Sequence, residues 1–199
     1  MSEYWDGRAV TLEGAQRAAW DEDEDDGHCD QMLDYLLTPL VGQWRSVEIG
    51  CGPGRLLRSH LTIGVDSSPN MVRHALALGH AAVLNDGRTL PFPDESVEGV
   101  YSVLVFQHVP DDVVASYCAE AHRILKPGGV FVAQYVTMGD VGPHNHPRST
   151  LVMNQLVWPS RWHSVGHWDD ESATDGYWDD ESGGMTGPRP EWAWIRCVK

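Results

Sequence analysis

Apolar residues recur along this chain in two rhythms, and the two alternate. Short apolar-rich runs at Arg45–Ile49, Ile63–Val65, Ala81–Leu84, Val100–Phe106 and Val130–Val136 read as strands, and Val100–Phe106, which lacks alternation, reads as buried on both faces. Between them the apolar positions fall three and four apart. Asp30 can cap a helix with Met32, Leu33, Leu36, Leu37 and Leu40 on one face, closed by Pro39 and Gly42. Arg55–Leu61 leaves room for about two helical turns. Ser68-Pro69 is a good helix start, with Met71, Val72, Ala75 and Leu76 turned inward and Gly79 as the stop. Asp111 can cap a further helix, with Val113, Val114, Tyr117, Cys118, Ala121, Ile124 and Leu125 inward and Gly128-Gly129 as its end. Strand and helix in alternation predict a doubly wound α/β domain built on a mainly parallel sheet with right-handed crossovers.

Chemistry enters at the first strand end. Val47-Glu48-Ile49 runs into Gly50-Cys51-Gly52-Pro53-Gly54, and thirteen residues further on Ile63-Gly64-Val65 runs into Asp66. Glycines at a βα turn let a ligand approach the backbone, and a carboxylate ending the next strand can accept both hydroxyls of a ribose. This is how a Rossmann-like sheet grips an adenosine-containing cofactor. The spacing E-x-G-x-G-x-G differs from the G-x-G-x-x-G of dinucleotide folds, and Glu48 would repel a diphosphate. A cofactor carrying positive charge, such as a sulfonium or an ammonium, fits better. Taken alone, the loop also suits a glycine-rich turn in some other α/β protein.

Further motifs follow in order: Asn85-Asp86-Gly87-Arg88-Thr89-Leu90-Pro91-Phe92-Pro93-Asp94 after the third strand, Tyr101 to Val109 at the fourth, and Arg123-Ile124-Leu125-Lys126-Pro127-Gly128-Gly129 before the fifth. Over residues 44–136 this order and spacing resembles the class I S-adenosylmethionine-dependent methyltransferases, in particular the small-molecule branch that includes the ubiquinone and menaquinone enzymes. The resemblance implies seven strands, the last antiparallel, with helices on both faces. It makes Thr150–Val157 the helix that follows the fifth strand and Glu191–Val198 the final strand, Trp192, Trp194 and Arg196 sharing a face. It also implies S-adenosyl-L-methionine as cofactor. Gly50, Gly52 and Gly54, with Cys51 between them, match the loop beneath its methionine and ribose, and Glu48 is the acidic residue of that motif. Asp66 matches the ribose carboxylate, Ser67 flanks the adenine, and Asp86 with Gly87 matches the adenine-amino contact. Met71 covers the adenine or packs in the core; Val105, Phe106 and Gln107 fall at the methionine end. Only eleven residues separate Gly54 from Asp66, fewer than the pattern expects.

On this reading 1–199 is one domain: an N-terminal helical cap (1–43), the cofactor core (44–136), and a variable substrate-side segment with the last strands (137–199). At 199 residues it can bury one sizeable core. No run spans a bilayer, and the N-terminus lacks the pattern of a secretory signal. The four cysteines are scattered without metal or redox spacing, which suits free thiols in a cytoplasmic protein and no metal site. A nucleophilic role for Cys51 is not expected, because its turn requires a small side chain. The net charge of −15 concentrates in Asp21–Asp26 and in seven acids between 162 and 187, leaving the rest near neutral. Acidic segments repel phosphates, which argues against nucleic acid, as does the lack of an Asn/Asp-Pro-Pro-aromatic tetrapeptide or a Pro-Cys nucleophile near Phe106. They suit cationic substrates, metals or plain solvation. His167-Trp168-Asp169-Asp170-Glu171-Ser172 recurs as Tyr177-Trp178-Asp179-Asp180-Glu181-Ser182, a hairpin or a loop.

A small-molecule acceptor methylated at oxygen is the leading expectation. His108 is the first candidate for a catalytic base, a structural role being the alternative; His144 and His146 can be a base, weak metal ligands or loop residues. Tyr4 and Trp5 stand where an aromatic cover would lie. Two other readings stay open: a cofactor-binding module without turnover that acts through a protein partner, and a nicotinamide-dependent oxidoreductase, which Glu48 disfavours.

Overall fold

Seven strands form one sheet in the computed structural model, which describes residues 2–19, 45–57, 61–138, 146–169 and 191–199. In chain order the elements are α1 (Ser2–Arg8), α2 (Leu12–Ala19), β1 (Ser46–Ile49), β2 (Thr62–Asp66), α3 (Pro69–Ala77), β3 (Ala82–Leu84), β4 (Val97–Ser102), α4 (Asp111–Ile124), β5 (Leu125–Met138), α5 (Thr150–Val157), β6 (Ser164–Asp169) and β7 (Glu191–Val198). The spatial order is β3-β2-β1-β4-β5-β7-β6. The first five strands are parallel, and β7 runs antiparallel to both of its neighbours. The order reverses beside β1, so β1 and β4 diverge at a switch point, where open α/β sheets hold their ligands.

The apolar runs explain the core. Val47, Ile49, Val65, Val100, Phe131, Ala133 and Tyr135 are fully buried, and they pack with Phe106, Cys118, Ala121 and Ile124 in one cluster. Each large side chain buried there contributes about 1.5–3 kcal/mol. At α3 the local signals act as read: Ser68 Oγ accepts the Met71 amide at 3.2 Å, Pro69 opens the helix, and Gly79 ends it at φ 87°. The helix at Thr150–Val157 and the strand at Glu191–Val198 fall on the expected residues.

Four boundaries differ from the sequence reading. β4 starts at Val97 and stops at Ser102, because Leu104 turns the chain at φ 58° into a 3₁₀ turn, Phe106–His108. Pro110, not Asp111, occupies the cap of α4, and Asp111 is its first residue. That helix ends at Ile124, ahead of the two glycines, because Leu125 already pairs with Val97 of β4. Gly52 to Leu56 lie in turns and a bend, so among the described residues the helix expected from Arg55 does not start there. β7 is also an inner strand. The helix expected after Asp30, the acids at 21–26, His144 and the second copy of the repeat lie outside the described residues. The first copy enters β6, which pairs antiparallel with β7.

Candidate functional site

The turn after β1 is held from β2. The Gly50 and Cys51 amides both donate to the Val65 carbonyl, at 2.7 and 3.1 Å. Gly50, Gly52 and Gly54 have φ of 72°, 51° and 96°, a region that only glycine enters at little cost. At Gly50 the space is also taken: a Cβ would overlap Val105 Cγ2 and lie 3.0 Å from Val105 Cγ1. The glycine loop and the segment after β4 therefore approach to backbone distance. Gly50→Ala is expected to destabilise the fold by about 1–3 kcal/mol through left-handed strain and overlap. A thermal melt checks this; an unshifted midpoint would mean the loop has slack.

Asp66 ends β2 and ties the site together. Its Oδ2 accepts the Gly52 amide at 2.9 Å and its Oδ1 the Ser68 amide at 2.8 Å. Burial raises its pKa, partly offset by the amide donors of Ser68, Gly52 and Ser67, while the Asp6 charge adds to the rise. A carboxylate has about four acceptor positions, so capacity remains for ligand hydroxyls. Glu48 is 3 % exposed at the end of β1. Burial keeps the Cys51 thiol protonated, and the charges of Glu48 and Asp66 add to the effect, so both carboxylates act on one loop and Cys51 is no nucleophile.

The turn after β3 closes the other side. The Asn85 amide donates to the Asp66 carbonyl at 3.0 Å, and a Cβ on Gly87 would stand 3.6 Å from Ser67 Cβ. Asp66, Ser67 and Gly87 thus line one narrow place. Asp86 is exposed and accepts from the amides of Arg88 and Thr89 and from Thr89 Oγ1, which hold its carboxyl below the usual range. One acceptor position remains on it.

Other expected residues lie elsewhere. Met71 is 3 % exposed and packs with Ala9 and Ala15, so it seats the N-terminal helices. Phe106 is fully buried, stacked on Tyr117 at 6.5 Å and tilted against Phe131 at 6.1 Å; the 3₁₀ turn sends its ring into the core and leaves only its backbone near the loop. Gln107 and His108 are together: Gln107 Nε2 lies 3.2 Å from His108 Nε2. Trp5 of α1 meets the His108 ring edge-on at 4.8 Å. Asp6 fixes α1 there by accepting Ser68 Oγ and the Asn70 amide, each at 2.8 Å. His146 is exposed, and its amide donates to the Gln107 carbonyl.

One functional residue gave no sequence signal. Arg148 has a side chain 1 % exposed; it donates to the Phe106 carbonyl at 2.6 Å, to the His146 carbonyl at 2.9 Å, to the Val109 carbonyl and to Asp111 Oδ1 at 2.6 Å. It clamps both ends of the turn that carries Gln107 and His108. An arginine in a polar loop follows no period, and nothing marks it as buried.

A parallel sheet with a glycine loop beneath its switch point, an acidic residue in β1 and a carboxylate ending β2 agrees with the arrangement expected of a class I S-adenosylmethionine-dependent methyltransferase domain. The glycine cradle and the spare acceptor capacity of Asp66 fit that cofactor. Residues 47–133, just under half of the chain, match the Methyltransf_11 family, described as a methyltransferase domain. It is 34% identical over 97 residues to the 2-methyl-6-phytyl-1,4-hydroquinone methyltransferase of Synechocystis sp., covering 43% of this chain and 30% of that protein. It is 28% identical over 142 residues to the 27-O-demethylrifamycin SV methyltransferase of Amycolatopsis mediterranei, covering 63% of this chain and 47% of the relative. Both matches span less than half the relative's length. In fold it is similar to an S-adenosylmethionine-dependent methyltransferase structure from Mesorhizobium loti, with TM-score 0.66, 21% identity, and cover of 89% of this chain and 99% of that one.

Proposed function

We propose that the domain transfers a methyl group from S-adenosylmethionine to a hydroxyl of a small molecule. When bound, the cofactor supplies an electrophilic methyl on a sulfonium. The residues of this chain then bind, align and exclude water. On this reading Gly50, Cys51, Gly52 and Gly54 lie beneath the methionine and ribose, and Glu48 faces their positive charge. Asp66 accepts the ribose hydroxyls, Ser67, Asp86 and Gly87 surround the adenine, and Val105 borders the methionine.

The observation that carries the choice of acceptor sits after β4. Gln107 is 3 % exposed, and its Oε1 is buried with no hydrogen-bond partner among the described residues. A buried acceptor without a donor costs about 1–3 kcal/mol. A hydroxyl entering beside it relieves that cost, and neighbouring His108 can take its proton, with Trp5 as the apolar wall. No basic patch accompanies the site, which agrees with a small molecule over nucleic acid. The Amycolatopsis relative, named for a 27-O-demethylated acceptor, supports the same chemistry. No helix among the described residues is long and apolar enough to cross a membrane.

The test is release of S-adenosylhomocysteine from S-adenosylmethionine with matched phenols, alcohols and amines. Turnover with hydroxyl acceptors is expected; turnover confined to amines would overturn the oxygen assignment. Asp66→Ala tests the cofactor side and is expected to weaken S-adenosylhomocysteine binding by about 1–3 kcal/mol, or roughly 5- to 150-fold. The pH dependence has a definite sign. Ionised Asp66 is the binding form and its pKa is raised, so affinity falls with acid at a pH above the ordinary carboxylate range. Asp66→Asn should abolish that fall, and calorimetry across pH reads both effects. Unchanged affinity in the alanine variant would misplace the ribose.

A further inference from the structure

β4 pairs with β5 as far as Ser102 and Ala133, and there the ladder stops. The next residue of β5 is Gln134, the only amide side chain in the apolar run Val130–Val136. It is 3 % exposed, and its Oε1 accepts the amide of Leu104 at 3.2 Å. A side chain thus takes over the bond that the strand no longer makes.

The residue it holds is strained. Leu104 has φ 58°, a left-handed conformation that a Cβ disfavours. Such residues persist only where their surroundings impose them, and they concentrate at functional sites. This turn decides where Val105 goes, and Val105 fills the space a side chain on Gly50 would need. The width between the glycine loop and the end of β4 is therefore set at Leu104.

We propose that Gln134 is a positioning residue for the methionine end of the cofactor slot, holding Leu104 in its left-handed turn and thereby fixing Val105 over Gly50. This rests on the reading that the methionine lies on the glycine loop and is bordered by Val105. Gln134 touches no reacting atom and acts through the backbone.

Gln134→Leu and Gln134→Met both remove the acceptor while keeping bulk. In each, amide exchange at 104–105 should quicken about tenfold and S-adenosylhomocysteine should bind about tenfold more weakly, the loss expected for one hydrogen bond. Adding Leu104→Gly should recover most of that affinity, because glycine holds a positive φ without the strut. A merely structural glutamine would lower the melting temperature without this specific rescue. The proposal is overturned if affinity is unchanged in both single variants. It is equally overturned if Leu104→Gly fails to restore affinity, or fails to restore folding to variants that do not fold. Failure of the cofactor reading looks different: the wild-type protein itself then gives no heat with S-adenosylhomocysteine, and the exchange rates alone decide whether Gln134 holds the turn.

Discussion

His108→Ala is expected to lower kcat by about 10²- to 10⁴-fold, the usual worth of a positioned general base. Affinity for S-adenosylhomocysteine should stay as in the wild type, because the ring packs with Trp5 and Gln107, where the acceptor is proposed to enter. The pH profile of turnover should lose the limb belonging to the base, so the two enzymes differ most where the wild type is fastest. Gln107→Leu should act differently, raising the KM for the acceptor with a smaller change in kcat. Turnover of His108→Ala that matches the wild type at every pH would make His108 a support for Trp5 and leave deprotonation to solvent.

Arg148→Met is expected to destabilise the fold by about 3–5 kcal/mol, since a buried cation leaves behind acceptors that no water reaches. The carbonyls of Phe106, Val109 and His146 all lose a donor at once. Asp111 contributes less, because its side chain is 58% exposed and solvent satisfies it. In a domain of this size the loss corresponds to a melting temperature lower by roughly 6–20 °C. Urea and thermal unfolding of the variant test this. A loss below about 1 kcal/mol would show that the turn at 106–108 holds its shape without the guanidinium.

How far the sequence carried depended on whether a residue's role is local. Strands β1, β2 and β5 were legible because short apolar-rich runs bounded by turn residues mark buried strands, and α3 because Ser68-Pro69 is a strong helix start. The glycine loop and Asp66 were legible because a left-handed turn and a strand-end carboxylate carry their chemistry in the residue type. The inward turn of Phe106 was not, since its direction is set by the strained backbone at Leu104. The connection ahead of β2 misled the reading: the seven residues from Arg55 to Leu61 have room for about two helical turns, yet Arg55 and Leu56 lie in turns. Gln134 was also visible, as one amide in an apolar strand, although its partner Leu104 lies 30 positions away and emerges only from the register.

The placement of Glu191–Val198 has one more consequence. Because β7 lies between β5 and β6, a cut ahead of Glu191 would not trim the sheet at its margin but sever it, since β6 has β7 as its one strand neighbour. Trp194, Ile195 and Cys197 would leave with it, stripping cover from the middle of β5, the strand that carries Gln134. Mechanical integrity at the far end of the molecule and the width of the slot beside β4 thus share a single structural beam.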